Sequence, residues 1–295
     1  MTLHSPLATP KATLDKLAKW GLSTRKSLGQ HFLIDDGVVG RILRLSALKA
    51  DDVVLEVGPG IGTLTEALLN TGATVIAIEK DPQLLRPLAD IAAHCPERVT
   101  FIHGDALDLF SDATNPSHSA VLSVTALVAN LPYAVAATVV LDCFQHLPSL
   151  ASATVMVQKE VAQRMAAQPG SKDYGAYTVK LRLLARPSAD FMVSKTSFLP
   201  PPRVDSTVIR LERRAEAERP DAACLNASFM LAEAAFAERR KTIRNSMRSS
   251  FASRGLDPAT VDELLKTADI PPTIRGETLS YEQYHEMGAA LLALT

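Results

Sequence analysis

Residues 55–65 read Leu55-Glu56-Val57-Gly58-Pro59-Gly60-Ile61-Gly62-Thr63-Leu64-Thr65, an apolar strand that runs into a glycine-dense turn and then into a helix. Glycine tolerates positive φ and lets backbone N–H groups approach a ligand closely. Gly58, Gly60 and Gly62 therefore mark a loop that cradles a nucleoside-bearing cofactor. The spacing decides which cofactor. A dinucleotide fingerprint has the form G-x-G-x-x-G, but Thr63 stands at its last position and the chain reads G-x-G-x-G. S-adenosyl-L-methionine is favoured over NAD, with an NAD-binding module as the rival.

Outward from this loop, short Val/Ile-rich runs alternate with helical stretches, the pattern of β-α-β units around a parallel sheet. The expected strands cover residues 53–57, 74–79, 99–103, 124–129, 153–158, 191–194 and 207–211. The last two are too close for a crossover helix between them, so they are expected to pair antiparallel. The fold class is α/β: a Rossmann-like sheet, mostly parallel, with the last strand antiparallel. After Leu211 comes a charged linker, Glu212-Arg213-Arg214-Ala215-Glu216-Ala217-Glu218-Arg219-Pro220. A small all-helical domain is expected beyond it, with Phe236, Ile243 and Met247 at core spacing and the pattern repeated over 259–268 and 281–292. The expected domains are 1–212 and 221–295.

A chain of 295 residues with 47% apolar content has material for two cores, at roughly 150 residues per domain. Its 31 Lys+Arg and 32 Asp+Glu nearly cancel, so any nucleic-acid footprint must be local. Cys95, Cys143 and Cys224 are isolated, which suggests a reducing compartment with neither a disulfide frame nor a zinc site. Lys11, Asp15, Lys16 and Lys19 interrupt the first twenty residues, so no signal peptide is read and a cytoplasmic location is expected. Residues 113–141 contain no Asp, Glu, Lys or Arg and are long enough to cross a bilayer. Asn115, Pro116, His118, Asn130 and Pro132 would be expensive there, so the stretch reads as a buried strand and a following helix, with no membrane partner. No G-x-S-x-G, phosphate loop or H-E-x-x-H occurs. Cys143 and His146, three apart without further ligands, read as core and edge residues, and no metal site is expected.

Ligands in an open parallel sheet sit beyond the carboxyl ends of its strands. The second strand ends in Glu79-Lys80-Asp81, where a Glu79 carboxylate can accept from both ribose hydroxyls; the alternative is a helix cap before Pro82, a role that suits Asp81 better. The third ends in His103-Gly104-Asp105-Ala106. There a carboxylate can accept the exocyclic amine of adenine, and Asp105 as a plain cap is an equal reading. The fourth ends in Asn130-Leu131-Pro132-Tyr133, a turn suited to methyl transfer to a planar amino nitrogen. The lone pair of adenine N6 is delocalised into the ring, so acceptors must draw the amine towards tetrahedral geometry. The Asn130 side-chain carbonyl and the Leu131 backbone carbonyl can each accept an N–H, Pro132 stiffens the turn, and Tyr133 offers a face on which a base stacks. A plain Pro-containing turn with a buried tyrosine is the alternative.

These motifs jointly resemble the ribosomal RNA adenine N6,N6-dimethyltransferases, specifically their bacterial small-subunit (16S) branch. Further matching pieces are Arg25-Lys26-Ser27-Leu28-Gly29-Gln30-His31-Phe32-Leu33, Phe198-Leu199-Pro200-Pro201-Pro202-Arg203-Val204-Asp205-Ser206 and Phe236-Ala237-Glu238-Arg239-Arg240-Lys241-Thr242-Ile243-Arg244-Asn245. The resemblance implies that His31 and Leu33 contact the cofactor together with Gly58, Gly60, Gly62, Glu79, Asp105 and Ala106. It further implies that Asn130 binds the reacting amine and that Phe198 packs against the target base opposite Tyr133. Ser27-Leu28 stands where Arg-Phe is frequent in the family, and His31 where Asn is frequent. The implied activity is transfer of methyl groups from S-adenosyl-L-methionine to two adjacent adenines near the 3′ end of small-subunit RNA. The implied setting is the small ribosomal subunit, with the enzyme a monomer.

Arg239, Arg240, Lys241, Arg244 and Arg248 put five basic residues and no acid in ten positions. Lys241, Arg244 and Arg248 would share one face of a helix, turned from Ile243 and Met247. Such a stripe is either a solvated face or a phosphate-binding surface, which Arg25 and Lys26 would extend. Because the base must leave its stack, single-stranded loops are the expected target. Three further rivals are a large-subunit RNA methyltransferase of the resistance type, a DNA or protein-glutamine methyltransferase and a non-catalytic assembly factor. Leu131 argues against the second, since Asn/Asp-Pro-Pro-Tyr would be expected there, so no DNA partner is expected.

Overall fold

The computed structural model describes residues 4–23, 30–112, 114–253 and 257–294. Its first half runs α1 (Pro10–Lys19), β1 (Phe32–Leu33), α2 (Asp36–Ser46), β2 (Val53–Val57), α3 (Thr63–Leu69), β3 (Thr74–Glu79), α4 (Leu85–His94), β4 (Val99–His103), α5 (Ala106–Ser111), α6 (His118–Val121), β5 (Ala126–Asn130), α7 (Ala136–His146) and β6 (Ser152–Gln158). There follow α8 (Lys159–Ala166), α9 (Ala176–Leu184), β7 (Ala185–Val193), β8 (Phe198–Leu199), β9 (Ser206–Arg213), α10 (Ala222–Phe236), α11 (Ile243–Ser253), α12 (Ala259–Thr267) and α13 (Tyr281–Leu294).

The seven-stranded sheet has the order β4-β3-β2-β5-β6-β9-β7. β2 pairs parallel with β3 and β5, and β3 with β4, whereas β9 lies antiparallel to β6. β2, β3, β5 and β6 read as continuous apolar runs because both sheet faces are covered, and Val54, Leu55, Val75, Ala77, Leu127, Val128, Val155 and Val157 are buried. Three strands match their expected bounds. The fourth begins at Ala126 rather than 124, because the Thr125 hydroxyl oxygen accepts the Val53 N–H and thereby caps the ladder (3.1 Å). It ends one residue later, at Asn130, paired with Met156. β7 is much longer than the expected 191–194, since an edge strand accommodates Pro187 and solvated polar side chains that would not suit an interior one. Ser188 Oγ donates to Arg210 O (3.4 Å), in keeping with an antiparallel run beside β9. The pairing of β1 with β8, Leu33 opposite Phe198, was not anticipated.

The chain forms two compact units, Met1–Ala162 with Pro187–Arg213, and Gln163–Arg186 with Arg214–Thr295. The sequence placed 163–186 in the first domain. It groups instead with the C-terminal helices, where buried Tyr174 donates its hydroxyl to Leu279 O (2.8 Å) and meets the Phe236 ring edge-on. Asp221 caps α10 by accepting the Cys224 N–H (2.8 Å), and Ile243, Met247, Val261, Leu264, Leu265 and Met287 are buried. Among the described residues no helix is long and apolar enough to cross a membrane. Cys143 is buried in α7 and His146 is exposed at its end.

Candidate active site

A cavity of about 770 Å³ opens at the carboxyl ends of β2, β3, β4 and β5. Its walls include His31, Leu33, Glu56, Gly58, Gly60, Thr63, Glu79, Lys80, Asp81, Asp105, Ala106, Asn130, Leu131, Pro132 and Tyr133. The glycine loop holds φ of +72° at Gly58, +62° at Gly60 and +89° at Gly62, all in the left-handed region. A Cβ on Gly58 would stand 3.2 Å from Pro132, and one on Gly60 would stand 3.3 Å from the Phe32 ring. Both glycines thus keep the cavity wall thin. Gly62 differs. It is absent from the cavity wall, and its Cβ would fall 2.1 Å from Ile91 Cδ1; its third glycine lets α3 approach α4.

Glu79 is buried at the end of β3. Its Oε2 accepts the Gly60 N–H (3.2 Å) and its Oε1 the Asp81 N–H (2.8 Å), so one carboxylate ties the glycine loop to the neighbouring strand end. Burial pushes its pKa up, against the opposing pull of those two N–H groups. Asp105 takes the capping role, accepting the Leu107 N–H (3.1 Å), and its other oxygen meets Lys80 Nζ at 2.7 Å. That lysine holds the Asp105 carboxyl below the usual carboxylate range.

Asn130 ends β5 beside these groups. Its Nδ2 donates to the His31 carbonyl (3.3 Å), which leaves Oδ1 as the acceptor for an incoming group. The next residue, Leu131, donates its N–H to Met156 O (3.1 Å). Tyr133 donates or accepts at Ser206 Oγ (2.8 Å), and its ring stacks on His31 with centroids 5.7 Å apart. His31 Nδ1 lies 2.8 Å from the Pro200 carbonyl oxygen, so that nitrogen carries the proton. The imidazole is thereby fixed between the first motif and the proline motif.

Phe198, expected beside the target base, is only 2% exposed and belongs to the apolar core with Leu33 and Val193. It backs the site rather than lining the cavity. Arg25 and Lys26 lie outside the described residues. Lys241 stands in the turn before α11, so the expected three-residue stripe on one helix is corrected: only Arg244 and Arg248 share α11. The helix stops short of Lys241 because the Asn245 N–H goes to the Thr242 hydroxyl oxygen (3.4 Å) rather than to Lys241 O, and the Ile243 N–H goes to Ile274 O (2.7 Å), which leaves Thr242 as the cap.

Sequence reasoning assigned no role to Glu56, whose signal was a carboxylate in the middle of the apolar run before the loop. It is 2% exposed, accepts the Thr65 hydroxyl (2.6 Å), and burial pushes its pKa to about 8. Gln30 was likewise unassigned, and it donates to Asp81 Oδ2 (3.0 Å) on the cavity rim. The buried Thr63 hydroxyl, in the same wall, makes no hydrogen bond among the described residues.

The family model for ribosomal RNA adenine dimethylase matches residues 21–287. The chain belongs to that family. The family fixes the reaction as methylation of ribosomal RNA adenine, and the chain is an enzyme of this class. A ribosomal RNA small subunit methyltransferase A of Enterococcus faecalis is 38% identical, with 99% of this chain and 98% of that one covered. One from Mycobacterium bovis is 44% identical over 88% of this chain and 80% of its own. Among solved structures, a dimethyladenosine transferase from Plasmodium falciparum superposes with a TM-score of 0.71 at 22% identity, covering 87% of this chain and 96% of its own. The 23S rRNA methyltransferase ErmE superposes with a TM-score of 0.61 at 26% identity, covering 88% and 99%. Both carry the methyltransferase fold seen here, mostly parallel with a helical C-terminal region.

Proposed function

We propose that this family member dimethylates N6 of two adjacent adenines in a loop near the 3′ end of small-subunit (16S) rRNA, using S-adenosyl-L-methionine, within the maturing small ribosomal subunit. The observation that carries the reading is the Asn130–Tyr133 turn set at the mouth of a nucleoside-sized cavity. The small-subunit assignment draws support from the names of the near full-length relatives. The similarity to ErmE keeps a large-subunit substrate as the second reading.

The cavity fits the cofactor on its own chemistry. It lies within the common size range of small-molecule sites, its floor is a glycine loop that side chains would fill, and it offers a buried carboxylate at Glu79 and a Thr63 hydroxyl with no hydrogen-bond partner among the described residues. In this reading Gly58 and Gly60 give backbone access, Glu79 takes the ribose hydroxyls, Asp105 and Ala106 frame the adenine, and His31 and Leu33 close the wall. When bound, the cofactor supplies an electrophilic methyl group.

The chain's own part is to prepare the nucleophile. Asn130 Oδ1 and the Leu131 carbonyl accept the two N–H bonds of the target amine, which turns its lone pair out of conjugation. Pro132 limits the motion of these acceptors, so their alignment precedes substrate arrival. Tyr133 gives the flipped base a face on which to stack. The exposed Arg239, Arg240, Lys241 and Arg244 and the half-buried Arg248, with Arg25 and Lys26, serve the RNA backbone, and the unit of Gln163–Arg186 with Arg214–Thr295 supplies the RNA-binding helices. A cytoplasmic monomer meets these needs.

Tritiated methyl incorporation from S-adenosyl-L-methionine into unmodified small subunits, large subunits and DNA tests the reading, with mass spectrometry of the labelled nucleoside. Dimethyladenosine confined to small-subunit RNA is expected. Label in large-subunit RNA would move the enzyme to the second reading, and absence of label despite subunit binding would favour a non-catalytic assembly factor.

A further inference from the structure

Arg244 and Arg248 stand four residues apart on α11, and both reach one carboxylate on α12. Arg244 donates from Nε to Asp262 Oδ1 (2.6 Å) and from Nη2 to Oδ2 (2.8 Å), while Arg248 donates from Nη1 to Oδ2 (2.9 Å). The Arg244 hydrogen bond, followed by the charge of both arginines, holds Asp262 below the usual carboxylate range. The three side chains are 45%, 40% and 41% exposed. Exposed ion pairs contribute little to a fold, and this helix pair is held by buried Ile243, Met247, Phe251, Val261 and Leu264. Stability alone gives little reason for three surface charges to converge.

Recognition gives a better one. Two guanidinium forks closing on one oxyanion is the geometry that grips a phosphate. We propose that Asp262 occupies in the free protein the place of an RNA backbone phosphate on α11, and that a phosphodiester displaces it on binding. Asp262 is then a built-in competitor that sets the threshold for RNA capture. This rests on the reading of α11 as part of the RNA surface.

The neighbouring charges explain how displacement succeeds. Arg240 and Lys241 are exposed and form no ion pair among the described residues, so they are free to make first contact. Arg239 is held by Glu277 (2.9 Å) and by Ser171 O (3.2 Å). A strand anchored by Arg240 and Lys241 presents its next phosphates at high effective concentration, which a lone anion lacks. The Asp262 carboxylate therefore resists isolated anions and yields to a polyanion. Each exchange also frees a carboxylate that recruits a cation, which offsets part of the counterion release from RNA.

The test is fluorescence anisotropy of the full chain with a labelled RNA hairpin carrying a single-stranded loop, over a salt series, with inorganic phosphate as competitor. Asp262→Asn, and Asp262→Ala as a second variant, are expected to tighten RNA binding about 2- to 10-fold near 0.1 M salt. The slope of log K against log salt should steepen by about one, and inorganic phosphate should compete more effectively than with the natural chain. The gain should vanish when Arg244→Ala and Arg248→Ala are added. If those two arginine substitutions weaken binding in the natural chain but neither Asp262 variant tightens it, Asp262 positions the arginines and the inference is overturned. If the arginine substitutions leave affinity unchanged, α11 is not part of the RNA surface and the underlying reading falls with the inference.

Discussion

Replacing Gly62 by alanine adds one carbon where the backbone has φ of +89° and where that carbon would lie 2.1 Å from Ile91 Cδ1 and 3.4 Å from Leu88 Cδ2. The left-handed conformation costs about 1–2 kcal/mol for a residue with a Cβ. Ile91 can yield because its Cδ1 is the end of the side chain, but it is buried, and a forced shift off its rotamer costs about 0.5–1.5 kcal/mol. The restricted unfolded chain returns about 0.4–1 kcal/mol. The net loss is about 0.5–3 kcal/mol, or roughly 1–12 °C in Tm for a domain of this size. Thermal unfolding followed by circular dichroism reads it directly. Ile91→Val removes the clashing atom, so Gly62→Ala with Ile91→Val should be less damaging than the sum of the single changes by about 0.5–1.5 kcal/mol. Unchanged stability together with a large loss of cofactor affinity would refute the packing role and return Gly62 to the binding wall.

Glu79→Ala removes the acceptor that holds the Gly60 and Asp81 N–H groups. It should weaken S-adenosyl-L-methionine binding about 10- to 100-fold, the range of a hydrogen bond to a charged group; calorimetric affinity equal to the natural chain's would remove Glu79 from the site. Glu56, shifted from 4.5 to about 8 by burial, keeps its proton in the native state over a range where the unfolded chain has lost it. A raised carboxyl stabilises fully below the unfolded value, and that stabilisation is lost as pH rises towards the folded one. Stability to urea should therefore fall by up to about 1.4 kcal/mol per pH unit across this window. Glu56→Gln should flatten the decline, and an equally steep decline in that variant would show that Glu56 is not its source.

Much of the fold was legible because parallel strands covered on both faces are continuous apolar runs, and those of β2 and β3 end at the predicted residues, as does the edge strand β4 with its exposed Thr100 and His103. The first part of β7, before the expected 191–194, escaped because an edge strand bears Pro187 and solvated polar groups that resemble a loop. β1 and β8 are two residues each, too short for any periodicity, and their pairing depends on tertiary structure alone. In the site, the polar strand ends Glu79, Asp105 and Asn130 were readable because few forces other than ligation or capping place such groups there. The cavity gathers all three. Gly62 and Phe198 carry the right residue types but face the core, and spacing alone does not distinguish a glycine that admits a ligand from one that admits a helix. The acidic partners of the basic residues were invisible for a related reason: Asp262 lies 18 residues from Arg244 and 14 from Arg248, and Glu277 lies 38 from Arg239.

In the proposed function the end of β5 activates an amine beside a separately held cofactor. Asn130→Ala deletes Oδ1 while leaving Gly58, Gly60 and Glu79 in place, and the decisive measurement is single-turnover methyl transfer to unmodified small subunits by this variant, with S-adenosyl-L-methionine affinity measured on the same preparation. Transfer should be abolished with cofactor affinity largely retained. Near-normal transfer with intact affinity would remove Asn130 from amine activation.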